Sequence, residues 1–220
     1  MTKLALVIAN KNYSSWSMRP WVLMREAGIS FEEIQLKFDH EGRVHGAERY
    51  SPTSQVPVLL VDGAPLWDSL AICETLAELF PDRRLWPAEV RSRALARSIC
   101  AEMHSGFRDL RVALPMNIRA NLPGKGMSPA AQKDIDRICG IWKDCRGQFG
   151  AGGTMLFGRF GIPDAYFAPV VARFATYAVP LPSEAREYAN AVGNLAAVRQ
   201  WMDDARRETD LVAASEPYAK

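Results

Sequence analysis

The sequence predicts a small mixed α/β domain followed by an all-helical domain. Strand-like apolar runs occur only in the first 80 residues, where they alternate with helical patterns in the order βαβαββα. The stretch 81–87 has two prolines around charged residues, which is typical of a linker. From residue 88 on, apolar positions recur at helical spacing only. We therefore expect an α/β domain at 1–80, a linker at 81–87 and a helical domain at 88–220.

Composition and charge exclude several classes of protein. The 220 residues include 27 Lys and Arg and 25 Asp and Glu, a formal net charge of +2, without a long basic block. Nucleic acid and a membrane surface are therefore poor candidates for partners. No apolar run approaches the length of a membrane span, and the N-terminus lacks a signal-peptide pattern. The four cysteines form no C-x-x-C motif, so we expect reduced thiols in a cytoplasmic protein.

The first three elements form a predicted βαβ unit. An uninterrupted apolar run, Leu4–Ala9, predicts a strand buried on both faces. The helix after it ends at Gly28, and a second strand follows at Phe31–Leu36. Such a unit implies a parallel strand pair with a right-handed crossover.

The rest of the first domain contains a predicted β-hairpin and a helix. The polar segment 40–50 is expected to be a loop with a short helix. A strand at Val58–Val61, a turn at Asp62-Gly63 and a return strand at Ala64–Trp67 form the hairpin. Asp68-Ser69 then caps a helix with an apolar face.

Three serines mark the start of the first helix. Proline is tolerated only in the first turn of a helix, so Pro20 makes Ser17 the predicted N-cap. Ser14 and Ser15 then lie just outside the helix, near its free N–H groups and the positive end of its dipole. That position suits an anion. On this stretch alone, serines that only cap and turn are the favoured interpretation, and the rest of the chain changes that balance.

The second domain is predicted to be helical throughout. A first long helix is expected over 88–120, with an interruption at Pro115. A second helix begins at Ser128-Pro129, since proline is favoured at the first helical position. A third begins at Gly161, where Asp164 can reach back to the N-cap amide. Two shorter helices complete the domain.

The order of elements and four short segments together resemble the cytosolic glutathione transferases of bacteria. Among their classes the chain is most similar to the zeta class (maleylacetoacetate isomerases), whose Ser-Ser-Cys-x-x-Arg signature resembles residues 14–19. The segments that carry the resemblance are Ser14-Ser15-Trp16-Ser17-Met18-Arg19, the cis-proline segment Gln55-Val56-Pro57, the segment Asp68-Ser69-Leu70-Ala71-Ile72 and the helix start Ile162-Pro163-Asp164.

The resemblance implies a fold, a co-substrate and an activity. It implies a thioredoxin-like first domain, glutathione as co-substrate, no metal, and a homodimer. The implied enzyme activates the glutathione thiol for attack on a small electrophile. Glutathione-dependent isomerisation of the maleylacetoacetate type is a variant of the same chemistry. A non-catalytic binding protein of this family is the alternative, but such proteins tend to lose the glutathione-site residues that are present here.

Two segments are assigned to glutathione binding. A cis peptide at Val56-Pro57, next to Gln55, would turn the Val56 backbone outward, where the cysteinyl backbone of glutathione can pair with it. Asp68 and Ser69 suit the γ-glutamyl ammonium and carboxylate. Plain capping of the following helix is the alternative role for this pair.

Either of two serines is a candidate to activate the thiol. A free thiol has a pKa of about 8.5, and a hydroxyl at a helix N-terminus favours the thiolate. The match to the zeta class assigns the donor to Ser14, which we favour, whereas the match to the theta class assigns it to Ser15. No His/Asp partners are evident, so the serine acts as a donor and not as a nucleophile. Trp16 replaces the cysteine of the zeta pattern, so mixed-disulfide chemistry is not expected there.

Four residues of the second domain are candidates for an acceptor-substrate pocket, because the family lines that pocket with its first long helix. Met103 and Phe107 are apolar candidates, with a core position as the alternative. Arg108 and Arg111 suit an acidic co-substrate, with salt bridges or a partner contact as the alternative. His104 is expected to be a structural histidine with satisfied hydrogen bonds. The sequence contains no metal-ligating constellation, phosphate loop or nucleotide fingerprint.

Overall fold

The N-terminal half is built on a four-stranded sheet with the order β2-β1-β3-β4. The structure, a computed structural model, describes residues 2–219. The strands are β1 Leu4–Ile8, β2 Glu32–Gln35, β3 Val58–Val61 and β4 Ala64–Leu66. β1 pairs in parallel with β2 and antiparallel with β3, and β3 pairs antiparallel with β4. This mixed sheet confirms the predicted thioredoxin-like arrangement.

Two helices, α1 (Ser15–Glu26) and α2 (Ser69–Leu79), accompany the sheet. The helix expected between β2 and β3 is only one 3-10 turn, Ala47–Arg49. Gly42 and Gly46 precede it with φ of 83° and 87°, a left-handed conformation that cannot continue a helix. Because the segment 40–50 has no apolar periodicity, a longer helix there would bury no apolar face, and packing could not compensate for the interruption.

The C-terminal half is all-helical, as predicted. Its helices are α3 Val90–Ser105, α4 Arg108–Ala113, α5 Pro129–Phe149, α6 Ile162–Thr176, α7 Ser183–Gly193 and α8 Ala196–Arg207. None of the helices between residues 2 and 219 has the length and apolar character that crossing a membrane requires.

The first long helix of this half ends earlier than predicted. The helix does stop before Pro115, since α4 ends at Ala113, but the sequence missed an earlier break: α3 ends at Ser105 with Gly106 as its C-cap, and Phe107 has a left-handed φ of 59°. A Cβ at Gly106 would lie 2.8 Å from the Glu102 carbonyl oxygen, so only glycine fits this helix end. As a result Arg111 lies on α4 and not on α3, where the sequence pattern placed it.

A continuous apolar core joins the two halves. α1 packs against α6 and α8, between the sheet and the helical half. Trp21 on α1 and Trp201 on α8 are both fully buried, with ring centroids 5.2 Å apart. The predicted linker contains one 3-10 turn, Pro81–Arg83. Because the core is continuous, the division into 1–80, 81–87 and 88–220 remains a prediction.

Candidate functional site

A cleft of about 1060 Å³ opens on the N-terminal half. Its walls come from the start of α1, the loop 38–48, the segment before β3 and the start of α2. All the residues that the sequence assigned to thiol activation and glutathione binding border it: Ser14, Ser15, Gln55, Val56, Pro57, Asp68 and Ser69. Residues from three separate segments of the chain therefore meet in one place.

The start of α1 differs from the prediction. The helix begins at Ser15 with Ser14 as N-cap, because the Ser14 carbonyl already accepts the Met18 amide at 3.1 Å. Ser17 is therefore in the first turn and is not the N-cap, and Pro20 lies inside the helix. Nearly all of α1 is buried, and this packing offsets the backbone hydrogen bond that Pro20 removes.

The hydroxyls of Ser14 and Ser15 have different partners. Ser14 Oγ donates to Ser17 Oγ at 2.7 Å, and Ser17 Oγ also accepts the Ala9 amide at 3.3 Å. Ser15 Oγ instead accepts from Arg173 Nη2 at 3.2 Å. The hydrogen of Ser14 is thus used inside the protein, whereas the hydrogen of Ser15 remains available to a ligand.

Two cis peptide bonds lie in the cleft wall. The Val56-Pro57 bond is cis, as the sequence predicts, and the Trp67-Asp68 bond is cis as well. Val56 is half-buried, and Gln55 beside it is exposed. Polar groups of the backbone and of Gln55 are therefore within reach of a ligand in the cleft.

Asp68 caps α2 and also faces the C-terminal half. Its Oδ1 accepts the Leu70 amide at 2.8 Å, while its Oδ2 lies 3.3 Å from His104 Nε2. Next to it, Ser69 Oγ and Tyr166 Oη are 3.1 Å apart. The capping role is therefore present, and the second carboxylate oxygen is directed away from the helix.

His104 is not the satisfied histidine that the sequence suggested. Its Nδ1 is buried and has no hydrogen-bond partner among residues 2–219. Burial lowers the pKa of His104; Asp68 opposes this shift, and the charges of Arg19 and Arg111 add to it. The imidazole is therefore neutral at pH 7 and contributes no formal charge to the site.

The four acceptor-pocket candidates do not border this cleft within the described chain. Met103 and Phe107 belong to the apolar core, and Arg108 is exposed. Arg111 is half-buried, and its guanidinium donates to the carbonyls of Gly106, at 3.0 Å, and Met103. Their assignment to an acceptor pocket stays a prediction.

The loop 38–48 forms a cleft wall that sequence reasoning left without a role. Arg43, Val44 and His45 all border the cleft. Asp39 orders this loop: hydrogen bonds from Arg43 and from the Glu41 amide hold the pKa of Asp39 down at about 2. The alternation of acidic and basic residues from Asp39 to His45, directly after a predicted strand, was the available signal.

The C-terminal segment 208–219 packs over the region beside Ser14, although it showed little pattern in the sequence. Glu208 accepts the amides of Lys11 at 2.7 Å and Asn12 at 2.9 Å. The Tyr13 hydroxyl contacts Glu216 and accepts from Arg119 Nη2 at 3.0 Å. The turn that precedes α1 is therefore held by residues from the far end of the chain.

The site contains neither a reactive thiol nor an evident metal centre. Between residues 2 and 219, no three His, Cys, Asp or Glu side chains are grouped so that they could hold a metal ion. All four cysteines are free thiols outside the cleft lining of the described chain. Burial raises the pKa of each of them, so none is activated as a nucleophile.

Comparisons with known proteins agree with this geometry. The family model for the glutathione S-transferase N-terminal domain matches residues 13–79. Glutathione S-transferase GstA of Escherichia coli O157:H7 is 31% identical over 204 residues, which cover 86% of this chain and 92% of that protein. The maleylacetoacetate isomerase of Rattus norvegicus is 28% identical over 175 residues, 76% of this chain and 77% of that protein.

The architecture also matches solved structures. A glutathione transferase homolog from Burkholderia, crystallised with bound glutathione, superimposes with a TM-score of 0.71 at 24% identity. The match covers 94% of this chain and 100% of that one. A tau-class glutathione S-transferase from mango superimposes with a TM-score of 0.67 at 17% identity, over 93% of this chain and 96% of that one. Together with the identity to GstA over most of both chains, these findings confirm the resemblance seen in the sequence: the chain belongs to the glutathione S-transferase family.

Proposed function

We propose that this protein is a glutathione transferase that binds glutathione in the cleft and activates its thiol for attack on a small electrophile. The observation that carries the proposal is the convergence of the α1 N-terminus, the Val56-Pro57 segment and the α2 N-terminus on one cleft. Membership of the glutathione S-transferase family supports the same conclusion.

The cleft supplies a partner for each part of the tripeptide. Asp68 and Ser69, at the positive end of the α2 dipole, suit the γ-glutamyl ammonium and carboxylate. The Val56 backbone suits the cysteinyl backbone as an added strand. On the loop 38–48, Arg43 and His45, which also contact Asp39, suit the glycyl carboxylate.

Ser15 is the better placed hydroxyl for the thiol. It accepts a charge-assisted hydrogen bond from Arg173, which strengthens its own hydrogen as a donor. The hydrogen of Ser14 is already directed to Ser17. The geometry thus favours Ser15, the second of the two sequence candidates.

The proposed reaction needs no covalent bond to the protein. The thiol loses its proton to solvent, and the Ser15 hydroxyl and the α1 dipole stabilise the sulfur anion. The thiolate then forms a carbon–sulfur bond with the electrophile, and the leaving group departs with the electron pair of its bond to that carbon. The serine remains a donor throughout.

Calorimetric titration with glutathione and with S-methylglutathione tests the binding part of the proposal. Conjugation of a chlorodinitrobenzene, followed by the absorbance of the thioether, tests the chemistry. We expect both ligands to bind and the aryl halide to be consumed only with glutathione. Absence of binding would contradict the proposal, and binding without turnover of any electrophile class would favour the non-catalytic alternative.

Glutathione-dependent isomerisation is the second candidate, because the rat relative with 28% identity over 76% of this chain is a maleylacetoacetate isomerase. In that chemistry the sulfur adds to the substrate and leaves again, so glutathione is regenerated. Assaying a cis-unsaturated diketo acid while titrating free thiol separates the two reactions. Turnover without loss of thiol supports isomerisation, and stoichiometric loss of thiol supports conjugation.

We further propose a cytoplasmic homodimer. Large apolar side chains remain exposed beside α2 and at the start of α3, with Trp67 and Leu79 both 40% exposed, which suits a partner surface. The free cysteines fit a reducing compartment. Light scattering after size exclusion should give twice the chain mass of 24.5 kDa. A mass equal to that of one chain at micromolar concentration would contradict the dimer.

A further inference from the structure

Trp16 is the residue at which this chain departs from the sequence signature of its relatives, and it borders the cleft directly after Ser15. Its indole is half-buried and is surrounded by side chains from three helices. Arg19 Cζ on α1 lies 4.1 Å from the ring centroid, and Arg111 Cζ on α4 lies 5.0 Å from it. The His104 ring on α3 meets the indole at 5.1 Å with an interplanar angle of 70°.

Arg19 depends on aromatic rings for its stabilisation. It is 1% exposed, and its Nε and Nη1 have no hydrogen-bond acceptor among residues 2–219. Besides Trp16, the Tyr166 ring centroid lies 4.6 Å from its Cζ. A desolvated guanidinium without acceptors is costly, and cation–π contacts are the compensation that this site offers.

The positive charge of this cluster is not neutralised by carboxylates. The ion pairs formed within residues 2–219 include none of the three guanidinium groups of Arg19, Arg111 and Arg173. Lys11 gives the contrast, because this buried ammonium lies 2.8 Å from both Glu33 and Asp204. The chain therefore pairs the Lys11 ammonium with two carboxylates, whereas the buried Arg19 and Arg173 and the half-buried Arg111 form no ion pair among residues 2–219.

The other titratable groups around the cluster supply fewer negative charges than it has guanidinium groups. Tyr166, Cys73 and Cys100 are fully buried, and burial raises the pKa of each, so they stay neutral at pH 7. Two carboxylates act on the cluster: Asp68, whose Oδ2 lies 3.3 Å from the neutral His104, and Asp134, whose charge acts on Arg111. They face three guanidinium groups and form no ion pair with any of them among residues 2–219, so the net charge beside the α1 N-terminus is positive.

We propose that Trp16 is a positioning residue that holds the guanidinium groups of Arg19 and Arg111 beside the α1 N-terminus, where their charge favours the thiolate of bound glutathione. This inference rests on the proposed function. An aromatic face fixes a guanidinium without cancelling its charge, whereas a carboxylate would cancel it. A cysteine at this position, as in the zeta pattern, offers neither guanidinium an aromatic face.

The test titrates the thiol of bound glutathione through the ultraviolet absorbance of the thiolate in wild type, Trp16→Leu and Trp16→Phe. Leucine removes the aromatic face, and phenylalanine keeps a weaker one. We expect Trp16→Leu to raise the thiol pKa by about one unit, which is tenfold less thiolate at neutral pH, and Trp16→Phe to raise it by about half as much. Because Trp16 itself borders the cleft, the dissociation constant of S-methylglutathione, which has no ionisable thiol, is measured in each variant to separate weaker binding from loss of the thiolate.

A second pair of variants decides the question if Trp16→Leu does not fold. Arg111→Met removes one cation and leaves Trp16 in place, while Arg111→Lys keeps the charge. We expect Arg111→Met to raise the thiol pKa and Arg111→Lys to restore most of the wild-type value. Arg206→Met is the matched control, because Arg206 is an exposed arginine on α8, paired with Asp203. It should leave the thiol pKa unchanged.

Three results would overturn the inference. One is an unchanged thiol pKa in Trp16→Leu, and another is an equal rise in the leucine and phenylalanine variants. The third is an unchanged thiol pKa in Arg111→Met. Each of these leaves the proposed function intact, provided that the wild type binds glutathione. If the wild type does not bind glutathione, both the proposed function and this inference fail.

Discussion

The N-termini of the helices α6 and α1 are capped in opposite ways. α6 begins after Gly161, and Asp164 closes it: Oδ2 accepts the Gly161 amide at 3.0 Å, while Oδ1 accepts the Leu156 amide at 3.1 Å and the Tyr188 hydroxyl at 3.0 Å. α1 packs on α6 and has no acidic residue in its first turn. Within the described chain its N-cap, Ser14, makes no side-chain capping bond.

On our proposal, the α6 N-terminus is a structural helix end and the α1 N-terminus is a ligand-binding one. Both ends carry free amides and a partial positive charge, and both therefore favour an anion. The chain supplies that anion to α6 from its own Asp164. At α1 the side chains in contact with Ser15 and Trp16 include the cations Arg173 and Arg19, and we propose that the anion there comes from bound glutathione. We therefore expect substitution of Asp164 to lower the free energy of unfolding, and substitution of Ser15 to lower the rate of the reaction.

The largest effect is expected for Asp164→Ala. It leaves two buried amides and a buried hydroxyl without their acceptor, so the free energy of unfolding should fall by about 3–5 kcal/mol. Urea unfolding followed by circular dichroism measures the loss. The control is Glu184→Ala, at an exposed acid in the first turn of α7. An equal, small loss in both variants would contradict the structural role of Asp164.

The free energy of unfolding should also depend on pH, through the ionisation of Asp164. Burial raises the pKa of Asp164 from 3.8 to about 6, although the hydrogen bonds from Leu156, Gly161 and Tyr188 lower it. Because the folded protein binds this proton more tightly than the unfolded chain, the stabilisation is complete below pH 3.8 and is lost as pH rises through 6. The unfolding free energy of wild type should therefore drop by up to about 3 kcal/mol relative to Asp164→Asn, which does not titrate. Parallel profiles from pH 4 to 7 would show that Asp164 is ionised throughout.

The rate of conjugation should depend on the serines at the N-terminus of α1. We expect Ser15→Ala to lower kcat/KM for conjugation by about 100-fold, because it removes the hydrogen bond that favours the thiolate. Ser14→Ala, whose hydroxyl bonds to Ser17 inside the protein, should lower it by less than about threefold. Steady-state kinetics on both variants measures the contrast. A larger loss in Ser14→Ala would restore Ser14 as the thiol partner.

The smallest of these effects is expected at the α2 N-terminus. Asp68→Ala removes the carboxylate that we assign to the γ-glutamyl ammonium, so glutathione should bind about tenfold more weakly. Asp82→Ala is the control, at an exposed acid in the turn after α2. Calorimetry compares the two dissociation constants. Unchanged binding in Asp68→Ala would leave Asp68 with its capping role only.

What the sequence could predict was local. The β3–β4 hairpin with its Asp62-Gly63 turn and the Asp164 capping box depend on residues within a few positions of one another, whereas the cis bond at Val56-Pro57 was implied by the family resemblance. The start of α1 was missed because Pro20 is normally a first-turn residue, and only burial against α6 shows why it is tolerated further in. Similarly, the spacing of apolar residues in the sequence does not show that α3 ends before Gly106.

The charged part of the site depends on contacts between distant parts of the chain. Ser15 and Arg173 are 158 positions apart, so no local pattern connects them. Trp16 was recognised as a departure from the zeta signature, but its meaning depends on Arg111 and His104, which arrive from two other helices. The sequence therefore predicted residues that border the cleft, but not the charged side chains that determine its electrostatics.

We propose that the open N-terminus of α1 is kept for the sulfur anion of glutathione. It is tested most directly by the pKa of the bound thiol in wild type, Ser15→Ala and Ser14→Ala. The account predicts a value in wild type at least about one unit below the free value of about 8.5, a return toward that value in Ser15→Ala, and little change in Ser14→Ala. A bound thiol that titrates like free glutathione in the wild type would contradict it.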